Sequence, residues 1–209
     1  MPRREHSSRM DLRLQRLGPA CGLAATVSWL ALFLTAMALD PTWPVGGAWL
    51  SDLGVRQAAW AFNTACFLAG VLILPYAAAI PLLLPKGRLT WLGTFCFTAA
   101  GVFLIGVGVF NEHFSPAHGV VSLGFFASLL LGWTALVYPL HRTPAFAGLG
   151  GLLTVGALAV VIVSLVLFNA YAVEAIVVLD AVFWGLITAG VFLLRTSAPS
   201  ATPNSPHTA

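Results

Sequence analysis

Apolar residues dominate this chain in long unbroken runs, and polar residues are confined to the gaps between them. A helix needs about 20 mostly apolar residues to cross a hydrocarbon core of roughly 30 Å. Six runs meet that length: Pro19–Leu39, Ala58–Leu84, Leu89–Phe110, His118–Tyr138, Phe146–Phe168 and Val173–Leu194. None alternates apolar with polar residues at every second position, as a strand of a transmembrane barrel does. Each is apolar around its whole circumference, which a helix in lipid tolerates because its backbone groups bond within the segment. The pattern predicts an all-α polytopic membrane bundle of six helices. Residues 1–18 form an arm before it, 19–195 make the transmembrane domain, and 196–209 follow as a tail.

The gaps carry turn chemistry. Pro85-Lys86-Gly87-Arg88 closes the second run, and His141-Arg142-Thr143-Pro144 separates the fourth from the fifth. Pro75 and Pro81 fall inside the second run, where each removes a backbone donor and favours a bend. Ala36-Met37-Ala38 resembles a small-x-small cleavage site. The run before it is longer than a signal-peptide core of about 7–15 residues, so it reads as a retained anchor.

Composition agrees: 59% of residues are hydrophobic and only 8% are charged, too few to cover a water-soluble domain. This excludes an ordinary soluble enzyme, a disordered chain and a disulfide-stapled secreted module. Cys21, Cys66 and Cys96 lie in or beside apolar runs with no paired spacing, and read as small apolar side chains. No nucleotide-binding or nucleic-acid-binding motif is present, and nothing identifies a cofactor. Membrane lipids are the partners that the composition implies.

Charge placement gives orientation. Arg3, Arg4, Arg9, Arg13, Arg16, Lys86, Arg88, Arg142 and Arg195 all fall on one side of the six-span topology, and Arg56 alone falls on the other. Basic residues near span ends stay in the cytoplasm. Both termini are therefore expected to be cytoplasmic, in the cell (cytoplasmic) membrane. Within the arm, Arg9, Arg13 and Arg16 lie beside Met10, Leu14 and Leu17 at helical spacing. This reads as a topogenic signal, or as a short basic amphipathic helix lying in the interface. The Ser/Thr/Pro-rich tail cannot bury a core and is expected to be disordered.

Acidic residues gather at the opposite side. Asp40, Asp52, Glu112, Glu174 and Asp180 fall in or near the outer half, with His113 and His118. The first loop, 40–58, is long enough to fold back as a lid or re-entrant segment, and Trp43, Trp49 and Trp60 suit an interfacial belt. Asp180 lies about 10 Å into the sixth run at 1.5 Å per residue. A carboxylate at such depth must face the bundle, a cavity or a partner, and His118 and Arg56 are its candidate partners. His118 and Ser122 are one helical turn apart, as a base and a hydroxyl would be, or simply as hydrogen-bonded neighbours. His113 and His118 are candidate metal ligands, with Glu112, Asp52 or Asp180 as oxygen donors. The plainer reading leaves all of these as solvated loop residues. Asn63 and Asn111 at span ends read as caps or interhelical bonds. Gly101, Gly106, Gly108, Gly124, Ser128 and Gly132 read as close-packing positions, as do Ala181, Gly185 and Ala189.

Three stretches carry a resemblance: W-L-S-D-L-G (Trp49–Gly54), W-A-F-N (Trp60–Asn63) and G-V-G-V-F-N-E-H-F-S-P-A-H-G (Gly106–Gly119). Over roughly residues 20–195 the chain resembles the multi-pass membrane family labelled domain of unknown function 998. Asn111 stands where members of that family often have proline. The S-D-L-G loop is also similar to the S-D-x-G of Frag/DRAM/Sfk-type membrane proteins. The first resemblance implies the fold and the positions Ser51, Asp52, Asn63 and His118, and supplies no reaction.

The expected site is a polar one at the outer leaflet. For ligand binding the candidates are Ser51, Asp52, Asn63, Glu112, His113, His118 and Asp180, recognising a lipid headgroup or a partner. The alternatives are an intramembrane lipid hydrolase or transferase using His118, Ser122 and carboxylates such as Asp52 and Asp180, and a small proton-coupled transporter using Asp180. No inverted three-plus-three repeat is visible to support the last.

Overall fold

A computed structural model describes residues 2–197, with side chains from residue 10 onward. Six helices account for most of them: α1 (Pro2–Leu39), α2 (Ala59–Leu83), α3 (Arg88–Val109), α4 (Ser115–His141), α5 (Leu149–Leu167) and α6 (Ala170–Ser197). Short 3-10 turns lie at Leu50–Val55, Glu112–Phe114 and Pro144–Phe146, and no strand occurs among the described residues. All six helices are long and apolar enough to cross a membrane.

The expected runs and the helices agree to within a few residues except at the start. There α1 begins at Pro2 and runs through the arm without a break. Gln15 explains part of the continuity. Its Nε2 donates to the carbonyl of Leu82 at 3.2 Å, satisfying an orphan acceptor at the end of α2. Gly18 and Pro19 are already buried. At the other terminus α6 takes in Thr196 and Ser197, and the rest of the tail, 198–209, lies outside the described residues.

Each helix packs on its sequence neighbour, and α6 returns to α1, so the six close into a ring. An even number of passes brings both ends of the described chain to one face, here called the basic end. The loops after α1, α3 and α5 share the acidic end. Small residues set the closest approaches. A Cβ on Gly70 of α2 would stand 2.7 Å from the carbonyl oxygen of Gly101 on α3. The other close-packing glycines hold to the same use: Gly106 meets Val121, Gly132 meets Phe97, and Gly185 meets Thr26. Helix α2 remains continuous through Pro75 and Pro81.

Aromatic side chains fill the interior, where Trp184 stacks on Phe97 at 5.3 Å between ring centroids. Two buried side-chain bonds join helices, one across the ring from Tyr76 on α2 to Thr188 on α6 at 3.1 Å and one between neighbours from Trp184 on α6 to Thr154 on α5 at 3.1 Å. In a lipid-facing bundle such bonds contribute about 0.6 kcal/mol on average. Van der Waals packing, of these interior side chains and at the close approaches of small residues, therefore supplies most of the cohesion. Helix α5 is the least tightly held, because its interfaces with α4 and α6 are less extensive than those among α1–α4.

Candidate functional site

The site is built on the first loop, which folds back over the acidic end. Asp40 follows α1 directly and is buried, and Arg56 returns across the loop to pair with it. The guanidinium Nη2 also donates to Asp40 Oδ1 at 3.1 Å and to Thr42 Oγ1 at 2.7 Å. The hydrogen bond from Arg56, then that from Thr42, holds the Asp40 carboxyl at about 2, below its ordinary 3.8. The Arg56 guanidinium is pushed up in turn, chiefly by its bond to Asp40. Trp43 does not join an interfacial belt. It is buried edge-on to Phe33, and its Nε1 donates to the carbonyl of Trp49 at 3.1 Å. Trp49 and Trp60 are exposed, as an interfacial position requires.

Between these fastenings the 3-10 turn Leu50–Val55 inserts Leu50, Ser51, Leu53 and Gly54 into the bundle. Asp52 Oδ2 accepts from the Trp49 N–H at 3.1 Å, capping that turn. Asn63 Nδ2 donates to the Gly54 carbonyl at 2.9 Å, tying the turn to α2. Ser51 Oγ donates to Glu112 Oε1 at 2.6 Å, tying it to the third loop. The Leu50 N–H donates to Glu174 Oε2 at 2.8 Å, tying it to α6. Asp52 lies beside Glu112, so two carboxylates meet there.

The third loop positions His118. Its Nδ1 lies 2.7 Å from the Phe110 carbonyl, which can only accept, so Nδ1 carries the proton. In the neutral ring Nε2 is then an acceptor, and Ser122 Oγ stands 3.3 Å from it. Ser122 differs in this from Thr94, Thr134, Thr154 and Thr188, whose hydroxyls all bond back to a carbonyl four residues earlier.

These residues line one end of a cavity of about 500 Å³ between α4, α5 and α6. Ser51, Glu112, His118, Ser122 and Glu174 form its polar end. Phe126, Leu130, Val161, Leu165, Val173 and Val177 form apolar walls. A second, narrower cavity of about 110 Å³ lies inside the ring and shares Ser51, Ser122, Phe126 and Glu174 with the first.

Of the residues singled out from sequence, Ser51, Glu112, His118 and Ser122 are brought together at the large cavity, with Asp52 beside them. Asn63 has a structural contact. His113 is exposed, lines neither cavity, and is bonded through its backbone to Asn111 Oδ1 at 3.2 Å. Among the described residues no three His, Cys, Asp or Glu side chains converge as metal ligands would. Asp180 meets neither expected partner. Arg56 is engaged with Asp40 and Thr42, and His118 with Phe110 and Ser122, while Asp180 Oδ2 is buried without a hydrogen-bond partner. Asp180 also lines neither cavity. Glu174, which sequence reading placed in the outer acidic group without naming it a candidate, lines both cavities. The available signal was an acid at the edge of a membrane span, weaker than the depth that drew attention to Asp180.

No curated protein and no solved structure matches this chain. Residues 23–196, nearly the whole helical bundle and the loops that build the cavity, match a family described as protein of unknown function (DUF998). The chain is therefore a multi-pass membrane protein belonging to that family.

Proposed function

We propose that the protein binds a membrane lipid in the cavity between α4, α5 and α6, with the headgroup at Glu112, Glu174, Ser51 and His118 and an acyl chain along the apolar wall. In this reading the acidic end faces outward from the cytoplasmic membrane and both termini are cytoplasmic, as the arginine distribution implies. The observation that carries it is the amphiphilic lining of a single cavity, polar at one end and apolar along its length. Its volume of about 500 Å³ falls within the roughly 300–1,000 Å³ of small-ligand sites. The loosely held α5 gives a lateral route from the bilayer.

Lipid retention tests this. The protein is extracted with its native bilayer, and the lipids that remain after stringent washing are identified by mass spectrometry. Leu130→Trp and Val173→Trp fill the apolar wall and should strip the retained lipid while leaving the protein monodisperse. Unchanged retention in both variants would remove the basis of the proposal.

One observation favours a second reading, acyl transfer at Ser122: the tautomer of His118 leaves a ring nitrogen facing that hydroxyl. Electrostatics weigh against it. Developing negative charge on a tetrahedral intermediate needs hydrogen-bond donors or cations, and Ser122 shares its cavity with Glu112 and Glu174. A fluorophosphonate probe separates the two readings. Labelling at Ser122 that is lost in His118→Gln would favour catalysis, and absence of labelling would leave recognition.

A further inference from the structure

Resting on that lipid-binding reading, we propose that the headgroup is a protonated primary amine, so that the cavity selects amine-headed phospholipids. The argument is charge complementarity inside a defined cavity. No Lys or Arg lines it, and its only basic side chain, His118, has Nδ1 committed to the Phe110 carbonyl. Arg56, the one cation of the first loop, is spent on Asp40 and Thr42. The cavity nevertheless holds Glu112 and Glu174, and Asp52 stands beside Glu112. Like charges this close repel and are stabilised by a cation between them.

The unused lone pairs point the same way. Ser51 occupies Oε1 of Glu112, and the Leu50 N–H occupies Oε2 of Glu174. The other oxygen of Glu174 accepts no hydrogen bond from the described residues, while the Glu112 carboxyl also lies within hydrogen-bond reach of Asp52. An ammonium group has three donors and one positive charge, which matches the open oxygen of Glu174, the Glu112 carboxyl beside Asp52 and the Ser122 hydroxyl that lines the same cavity. A choline head carries the charge without the donors, and a glycerol head carries donors without the charge.

The full-length protein is reconstituted in nanodiscs of phosphatidylcholine containing equal small fractions of phosphatidylethanolamine and phosphatidylglycerol, and retained lipid is counted by native mass spectrometry. Retention of phosphatidylethanolamine over both others on the order of tenfold is expected, the discrimination of one charge-assisted hydrogen bond. Glu112→Gln and Glu174→Gln should each reduce the preference, and Glu112→Asp should keep most of it. Asp180→Asn, outside both cavities, should leave it intact. If the wild-type protein retains all three lipids equally, or prefers phosphatidylglycerol, and Leu130→Trp still abolishes retention, the amine inference fails while the lipid groove stands. If Leu130→Trp has no effect on retention, the groove itself fails. The wild-type comparison decides the matter even if a glutamine variant does not fold.

Discussion

Gly54 and Asn63 are matched to one another: the Asn63 amide donates to the Gly54 carbonyl at 2.9 Å, and a Cβ on Gly54 would stand 2.6 Å from Asn63 Oδ1. The glycine of the first loop and the asparagine of α2 are thus a single latch that seats the re-entrant turn. Gly54→Ala should destabilise the protein by about 1–3 kcal/mol through overpacking. Asn63→Ala should cost about as much by leaving a buried carbonyl unpaired. The double variant should lose less than the sum, because removing the Asn63 side chain makes room for the new methyl. Thermal unfolding of the detergent-solubilised protein measures all three, and strict additivity would refute the latch.

Asp40 and Arg56 predict an acid limb in stability. The folded Asp40 carboxyl sits at about 2 against an ordinary 3.8, so its ionised form favours the folded state. That contribution is complete above about pH 4 and is lost as pH falls through about 2. A melting series across that window should fall for the wild type and be flatter for Asp40→Asn. Arg56→Met should be worse than Asp40→Asn, since it leaves a buried carboxylate without its partner. Identical acid profiles for wild type and Asp40→Asn would contradict the pairing.

Gly70 and Gly156 predict opposite responses to the same change. On Gly70 a Cβ would meet the Gly101 carbonyl and the Ile105 backbone nitrogen, both at 2.7 Å, and backbone cannot step aside. Gly70→Ala should destabilise by about 1–3 kcal/mol. Gly156 on α5 has nothing within 4 Å of its Cβ position. Gly156→Ala should be neutral or stabilise by up to about 1 kcal/mol, by helix propensity. Resistance to unfolding in a denaturing-detergent titration distinguishes them, and equal behaviour would sink the close α2–α3 contact.

Orientation is testable in intact cells. Val45 in the first loop is 70% exposed, and Arg142 in the loop after α4 is exposed at the opposite end. A membrane-impermeant maleimide should label Val45→Cys from outside and Arg142→Cys only after permeabilisation. The reverse pattern would place the acidic end in the cytoplasm.

The chain alone determined its solvent. Hydropathy is local and additive along a run, so all six helices and most of their ends were readable without knowing which helix touches which. Small residues at helical spacing, such as Gly101, Gly106, Gly132 and Gly185, announced close packing for the same reason. The site was not readable in that way. Ser51 reaches Glu112 across 61 positions and Leu50 reaches Glu174 across 124, and only the packing of the helices, α2 on α3 and α6 on α1, brings those segments together. Sequence offered Arg56 and His118 to Asp180; the fold gave Arg56 to Asp40 and His118 to a backbone carbonyl, because those acceptors lie nearer once the first and third loops have folded over the bundle. Trp43 was drawn inward by the same folding, edge-on to Phe33, where its Nε1 adds a second donor to the Trp49 carbonyl. Tertiary structure alone decided which of the gathered polar groups face a cavity, because that depends on where α4, α5 and α6 leave space.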